Sequence, residues 1–153
     1  MPTPGRADIE LFVEPGKMEI PYRYHAGAVG SRFLIELRDR QKILGIRCPA
    51  CNKVYVPPKS TCIHCFAKLD EWVELGNEGT LTSFAVVYQP EPPHPLKPPF
   101  TYGIVQLDGA DTGLVHFIGE AEAEDLRSGM RVQAVFKEDR SGSILDIKYF
   151  KPA

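Results

Sequence analysis

The amino-acid sequence predicts a mainly β protein with an N-terminal hairpin, a short helix, a metal-binding ribbon and a C-terminal five-stranded barrel. All four cysteines lie within 18 residues, as two Cys-x2-Cys pairs. The second half of the chain contains short strand-like runs separated by turn residues. With 153 residues, 43% of them hydrophobic and 25% charged, the chain has an ordinary globular composition and can bury a core without needing a metal to fold.

The distribution of charge argues against nucleic acid as a partner. Residues 1–75 carry 11 basic and 9 acidic side chains, whereas residues 76–153 carry 7 and 11. A surface that neutralises phosphates is expected to be basic, and the barrel half is acidic. No apolar run approaches the roughly 20 residues of a membrane span, and the N-terminus lacks the apolar core of a signal peptide. We therefore expect a cytoplasmic protein without a membrane partner.

Residues 1–30 are predicted to form an extension that contains a β-hairpin. Residues 17–24 alternate between apolar and other side chains, as in a strand, and residues 10–13 could pair with them across the turn at 14–16. Two strands alone are marginally stable, so we expect the extension to lean on the rest of the protein or on a partner. One face of the second strand would carry Met18, Ile20, Tyr22 and Tyr24.

Residues 31–42 are predicted to form a short docking helix. Ser31 is the expected N-cap, and apolar side chains follow it at helical spacing. Basic side chains near the end of this segment suit the negative end of the helix dipole. These helix-defining residues are Phe33, Leu34, Leu37, Arg38 and Arg40.

The segment 43–75 is predicted to hold a structural zinc ion. Two Cys-x2-Cys pairs separated by ten residues can each wrap one side of an ion, and four thiolates complete a closed tetrahedron. Such tight clustering favours a metal site over a disulfide framework. A closed site also leaves no open position for water or substrate, which argues against metal catalysis. The predicted ligands are Cys48, Cys51, Cys62 and Cys65.

Other uses of these cysteines stay open at this stage. They could form two reactive pairs, a redox disulfide or an iron site in an electron carrier. Knuckles of the iron type usually carry Gly after the second Cys, where this chain has Asn52 and Phe66. His64 lies within the second knuckle and is expected to be a bystander, because four cysteines are available.

Residues 76–153 are predicted to form a five-stranded barrel. Residues 109–113 and the pair at 141–142 are typical hairpin turns, and one helix is expected over 120–126. Five strands with a single helix after the third are the layout of an OB-type barrel. A small sandwich or an SH3-like barrel remains an alternative, because strand order cannot be derived from these patterns. The predicted strands are 79–89, 101–108, 113–118, 131–138 and 144–150.

A proline-rich segment joins the first two predicted barrel strands. Residues 90–99 contain six prolines in ten positions, which favours a stiff, extended loop. This loop is either a rigid exposed connection or a preorganised arm that contacts a partner or a ligand entrance. The candidate contact residues are His94, Lys97 and Phe100.

The sequence contains no pattern of a catalytic site. A Gly-x-Ser-x-Gly elbow and a phosphate-binding glycine loop are both missing, and the metal site uses every cysteine. His116 lies in a strand-like run and is expected to be a structural histidine. We therefore expect no catalytic residue in this chain.

With these parts in order, the chain resembles the acyl-CoA-associated proteins that join a rubredoxin-like zinc ribbon to an OB-fold. The resemblance covers about residues 31–152. It depends on the helix before the first knuckle, on the spacing of the two knuckles, and on the order of the barrel runs after them. The matching runs are Arg47–Cys51, Tyr55–Pro58, Cys62–Cys65, Trp72, Gly76–Ser83, Gly103–Asp108, Ser128–Val132 and Tyr149–Pro152.

This resemblance implies a non-catalytic subunit that stabilises a thiolase-fold enzyme acting on acyl-CoA. The catalytic groups would belong to the partner in a hetero-oligomer, and CoA or acyl-CoA would bind at a site shared with it. Some members, such as small subunits of thiolases for aromatic acyl-CoA substrates, carry an extension like residues 1–30. The alternative is a single-stranded nucleic-acid-binding module, in which exposed aromatic side chains stack on bases.

Overall fold

Eight strands, one α-helix and two short 3-10 helices form the part of the chain that the structure describes. This computed structural model describes residues 13–16, 18, 20–89 and 95–153. Helix α1 spans Gly27–Arg40, and the 3-10 helices span Ala123–Asp125 and Ile144–Asp146. The strands are β1 (Ile43–Arg47), β2 (Val54–Tyr55), β3 (Glu71–Leu75), β4 (Glu78–Val87), β5 (Phe100–Leu107), β6 (Leu114–Ile118), β7 (Arg131–Phe136) and β8 (Ile147–Pro152).

Helix α1 begins one turn earlier than the sequence predicts. Its N-cap is Ala26, which makes no side-chain hydrogen bond, so the expectation that Ser31 caps the helix is wrong. The helix ends at Gln41, whose left-handed backbone lets its N–H reach the carbonyls of the last turn. Phe33 and Leu37 lie one turn apart and are buried against the core. The helix is thereby docked on the body of the protein.

A three-stranded antiparallel sheet follows the helix, with strand order β2-β1-β3. The central strand β1 is rich in branched apolar residues and is buried along nearly its whole length. Gly45 lies at its middle, where a Cβ atom would come within 2.9 Å of the Val54 side chain. Only glycine allows this close approach of β1 to its neighbours.

The C-terminal strands close into a barrel with the order β4-β5-β6-β8-β7, and β7 returns to pair with β4. Strands β6 and β8 are parallel, and the other pairs are antiparallel. This order, with one parallel pair, defines a five-stranded Greek-key barrel of the OB type. The OB prediction is confirmed over the sandwich alternative. The two predicted hairpins, β5 with β6 and β7 with β8, are also present.

The helix predicted over residues 120–126 is wrong. Only Ala123–Asp125 is helical, and as a single 3-10 turn. Glu120 adopts a left-handed backbone conformation, which a helix cannot include. Its carboxylate accepts hydrogen bonds from Tyr149 and Lys151 of β8, so this acidic side chain is tied to the barrel.

The last strand starts three residues later than predicted, because a 3-10 turn occupies Ile144–Asp146. Asp146 is buried and accepts backbone N–H bonds from Ser141, Gly142 and Ser143. Burial opposes ionisation of Asp146, but the three N–H bonds outweigh it and lower the pKa of this carboxyl. The turn is therefore built around one buried carboxylate.

The predicted N-terminal hairpin is not found among the described residues of the extension. Residues 10–12, 17 and 19 of that prediction lie outside the described part of the chain. Residues 13–16, 18 and 20–26 belong to no strand. The hairpin as a whole therefore stays a prediction.

The sheet of β1–β3 and the barrel share one hydrophobic core and one polar seam. Core side chains come from α1, from the sheet and from the barrel interior. At the seam, the turn between β5 and β6 lies against the free edge of β2. Asp111 and Val54 exchange two hydrogen bonds of 2.8 Å, and Thr112 Oγ1 both accepts from Val56 N–H and donates to its carbonyl. The barrel turn thus satisfies the backbone of the ribbon strand.

We expect Thr112→Val to destabilise the protein by about 1–3 kcal/mol, because it leaves a Val56 N–H and carbonyl without their partner. Urea unfolding of the zinc-loaded protein measures this loss. The control is Thr82→Val, which removes one hydrogen bond on the exposed barrel surface and should cost about 0.5 kcal/mol or less. Equal effects of the two substitutions would show that the seam does not couple ribbon and barrel.

Candidate metal centre

Two matching turns bring the four cysteines together. In each turn the N–H of the first cysteine donates a hydrogen bond to the carbonyl two residues after the second cysteine. Cys48 N–H donates to the Lys53 carbonyl, and Cys62 N–H donates to the Ala67 carbonyl. The N–H groups of Asn52 and Phe66 donate back to the Cys48 and Cys62 carbonyls, at 2.9 and 3.0 Å. Each Cys-x2-Cys pair therefore forms a closed knuckle.

The four predicted ligands, Cys48, Cys51, Cys62 and Cys65, converge on one point. All their Sγ atoms lie within 4.8 Å of one another. The Cys48–Cys65 pair is separated by 3.4 Å and the Cys51–Cys62 pair by 3.6 Å. A zinc ion with bonds of about 2.3 Å to four thiolates requires sulfur atoms about 3.8 Å apart, so the arrangement fits a tetrahedral site.

The residue after each knuckle has a left-handed backbone. Asn52 has φ of 58° and Phe66 has φ of 61°. This is the reason why glycine is common at these positions, since it adopts positive φ without strain. Asn tolerates the conformation, and its side chain accepts a 2.9 Å hydrogen bond from Arg47. Phe66 is strained, and its ring is 80% exposed.

Tyr55 supports the centre without being a ligand. Its hydroxyl lies 3.1 Å from Cys62 Sγ, and the hydrogen bond to this sulfur raises the pKa of Tyr55. Burial opposes a charged sulfur at Cys62, but this hydroxyl and the backbone N–H groups of Cys65 and His64 outweigh it and lower the pKa of Cys62. Tyr55 thus favours the thiolate form that a metal requires.

A small separate core surrounds the sulfur atoms on the inner side. Ile46, Tyr55 and Leu69 are buried together with Cys48 and Cys62, and Trp72 packs against them. Arg32 of helix α1 lies over the Trp72 ring at 4.4 Å, which joins the helix to this cluster. The inner side of the centre is thereby shielded from solvent, while Cys65 and the second knuckle face outward.

Two of the three candidate residues of the proline-rich loop lie in the described part of the chain. Lys97 is exposed, and His94 lies outside the described residues. Phe100 is half-buried and packs edge-on against the rings of Tyr102 and Phe117. The described end of the loop, at Pro95 and Leu96, lines a mostly apolar cavity of about 390 Å³ together with β6 and the start of β8.

His116 is a structural residue, as predicted. Its ring is buried, its Nδ1 accepts the Phe117 N–H, and its Nε2 lies 3.1 Å from the Ile144 carbonyl. Burial lowers the pKa of His116, which keeps the ring neutral. Both ring nitrogens are occupied, so this histidine is not available as a catalytic base.

The sequence patterns do not reveal three residues that support the ribbon, one at the metal centre and two at the edge of β2. Tyr55 belongs to a run that carries the family resemblance, but no pattern indicates that its hydroxyl contacts a ligand sulfur. Asp111 and Thr112 were assigned to a hairpin turn, and only the fold brings them to β2. Their polar side chains at a turn tip were the one available signal.

Among the residues that the structure describes, no helix is long and apolar enough to span a bilayer.

Together, the closed knuckles and the barrel define a protein of the zinc-ribbon and OB-fold class. Residues 36–71 match the model of the ChsH2 rubredoxin-like zinc ribbon domain, and residues 72–137 match that of the ChsH2 C-terminal OB-fold domain. The two matches are contiguous and together span two thirds of the chain. The chain therefore belongs to the ChsH2-type family of zinc-ribbon and OB-fold proteins, which includes DUF35 proteins.

Relatives and solved structures agree with this family. A DUF35 domain-containing scaffold protein of Methanocaldococcus jannaschii is 29% identical over 121 residues, which cover 76% of this chain and 85% of the relative. A scaffold protein of the same description from Pyrococcus furiosus is 23% identical and covers 80% and 91%.

Two solved structures share the fold. The structure described as an Ltp2–ChsH2(DUF35) aldolase matches at 26% identity with a TM-score of 0.60, over 80% of this chain and 93% of that chain. A DUF35 protein of unknown function from Sulfolobus solfataricus matches at 22% identity with a TM-score of 0.62, over 83% and 87%.

We expect the chain to bind one zinc ion. We expect Tyr55→Phe to bind it with lower affinity, because the substitution removes a hydrogen bond to a ligand sulfur. Zinc affinity should fall about 10- to 100-fold. Competition with a chromophoric chelator measures it. Tyr149→Phe is the matched control, since its hydroxyl bonds Glu120 on the barrel. Zinc affinities that do not differ between the two variants would contradict a role of Tyr55 in the centre.

Proposed function

We propose that this chain is a non-catalytic, zinc-binding accessory subunit of a thiolase-fold enzyme that acts on acyl-CoA by thiolysis of a β-ketoacyl-CoA. The observation that carries the proposal is the match to the ChsH2(DUF35) chain that is named together with Ltp2 in an aldolase. The name scaffold protein for two curated relatives supports the same kind of role. The choice of a thiolase-fold partner comes from the family resemblance of the sequence.

The chemistry of the described residues supports a non-catalytic subunit. The four thiolates would saturate a zinc ion, so the metal would organise the ribbon and offer no position for a substrate. Among the described histidines, His116 is the buried one, and both of its ring nitrogens are occupied. The reacting groups would then belong to the partner, and this chain would contribute surface and stability.

The second knuckle is the proposed docking point on the ribbon. Ile63 and Phe66 are exposed at its tip, at 64% and 80%. Neither side chain belongs to a core cluster of this chain, and Phe66 also has a strained left-handed backbone. The ribbon also has three exposed lysines that make no ion pair with the described residues, Lys53, Lys59 and Lys68. The matching surface of the partner would therefore be an apolar pocket with an acidic rim.

The proline-rich loop is the proposed contact near the partner's substrate entrance. Its stiffness would reduce the entropy lost on binding. Lys97 is exposed and would meet a CoA phosphate at a site shared by the two subunits, with His94 earlier in the same segment and Phe100 at the start of β5.

The nucleic-acid alternative gains no support from the arrangement of aromatic side chains. Tyr102 and Phe117 stack on each other at 4.8 Å, and Phe117 is buried. Tyr88 is the one largely exposed residue, at 71%, among the four aromatic residues of the barrel that could stack on bases, Phe84, Tyr88, Tyr102 and Phe117. A single exposed ring on an acidic barrel does not make the basic, aromatic groove that binds single strands.

Affinity purification of the tagged chain from its native cells, with mass spectrometry of the bound protein, tests the proposal. We expect a thiolase-fold enzyme in a near-equal amount, and we expect the complex to cleave a β-ketoacyl-CoA in the presence of CoA. Recovery of the chain alone or with nucleic acid would contradict the proposal.

We expect Phe66→Asn to weaken the complex about tenfold or more, because an exposed aromatic anchor is lost. The stability of the free chain should stay equal or rise, because Asn tolerates the left-handed backbone, as Asn52 does in the first knuckle. Titration of the purified partner and thermal unfolding of the free chain measure the two effects. An unchanged affinity would remove the second knuckle from the interface.

A further inference from the structure

The segment before helix α1, here called the N-terminal arm (residues 13–26), exposes a row of large apolar side chains. Met18, Ile20, Tyr22 and Tyr24 are 84%, 69%, 78% and 82% exposed. No hydrogen bond joins the arm to the ribbon or the barrel among the described residues. Single exposed apolar side chains are common on protein surfaces, but four at alternate positions of one short segment are not.

These four side chains have the spacing of one face of an extended strand. Side chains at i and i+2 of a strand project to the same side. The rings of Tyr22 and Tyr24 follow this geometry, because their centroids lie 5.9 Å apart with an angle of 32° between the planes. The arm is therefore able to present one continuous apolar face.

The backbone of the arm has one edge that is complete and one that is interrupted. In an antiparallel pair, a residue directs its N–H and its C=O toward the same neighbouring strand, and the next residue directs its own to the other side. The even-numbered edge, at Ile20, Tyr22 and Tyr24, has every N–H donor. The opposite edge contains Pro21, which has none. Only the even-numbered edge can form an uninterrupted ladder of hydrogen bonds.

The exposed surface of the arm is large enough for a stable contact. An aromatic side chain buries about 150–250 Å² on packing, so the four apolar side chains together offer on the order of 600 Å². A standard interface buries about 800 Å² per partner. The arm would supply most of such an interface without any contribution from the ribbon or the barrel.

A second copy of this chain would not cover the arm. Two arms paired edge to edge form a two-stranded ribbon whose apolar face stays in water, and such ribbons are marginally stable. A pre-formed sheet with an apolar surface beside its edge would satisfy both the backbone ladder and the side chains. The occupant is therefore a larger protein with a sheet edge.

We propose that the N-terminal arm joins the partner enzyme as an added edge strand, with the backbone of Ile20, Tyr22 and Tyr24 paired to the enzyme's sheet and their side chains packed on its apolar surface. This inference depends on the proposed function, since it concerns how the same partner is bound. It explains the alternating pattern of the arm without the internal hairpin that the sequence predicts.

A proline scan of the arm tests this geometry with the enzyme that co-purifies with the full chain. Tyr22→Ala and Tyr22→Pro form one pair, and Arg23→Ala and Arg23→Pro form the other. We expect Tyr22→Pro to bind the enzyme about tenfold more weakly than Tyr22→Ala, because the proline removes a ladder donor. Arg23→Pro should bind like Arg23→Ala, because its N–H points to the edge that Pro21 already interrupts.

Amide hydrogen exchange of the complex gives a second readout, with protection expected at Ile20, Tyr22 and Tyr24 but not at Arg23. Zinc content and thermal unfolding should be equal in all four variants, because the arm lies outside the core. If the wild-type chain binds no enzyme, the proposed function fails. If it binds an enzyme and the two proline variants lose the same affinity, or neither loses any, the added strand is wrong. Dimerisation of the free chain that Tyr22→Ala abolishes would instead identify a second copy as the occupant.

Discussion

The convergence of four cysteine sulfurs within 4.8 Å is the constraint on which the rest of the ribbon depends. Four thiolates at this distance repel one another, and a divalent cation bound among them would convert the repulsion into attraction. The segment between β1 and β3 has only the two-residue strand β2 as regular structure. The metal therefore takes the place of the long strands and large core that such a segment lacks.

Few contacts connect the metal centre to the barrel. The knuckles fix β2, and the outer edge of β2 is completed by Asp111 and Thr112 of a barrel turn. Helix α1 packs on the same core and reaches the metal side through Arg32 and Trp72. Ribbon, helix and barrel consequently form one platform, from which the second knuckle projects.

The parts that the sequence predicts well are those with local or spaced signals. The cysteine spacing predicted the knuckles, and five strand-like runs separated by turn residues predicted a barrel, whereas the strand order came only from the structure. The errors concern features that tertiary contacts decide. The run 120–126 has good helix formers, but Glu120 is held by Tyr149 and Lys151 of a distant strand. The strand predicted over 17–24 is not formed at its described residues, and most of the segment predicted to pair with it, 10–12, lies outside the described part of the chain, so the hairpin stays a prediction. The role of Tyr55 depends on a distance to Cys62 that no sequence spacing encodes.

In the proposed function, the metal stabilises the docking surface of this chain and takes no part in the chemical step. Native mass spectrometry of the purified complex during stepwise removal of zinc by a chelator tests it most directly, with catalytic activity followed in parallel. We expect each zinc ion that is lost to release one copy of this chain from the enzyme, with activity lost in step with dissociation. A zinc-free complex that stays fully assembled but no longer turns over substrate would contradict the account, because the metal would then serve catalysis and not assembly.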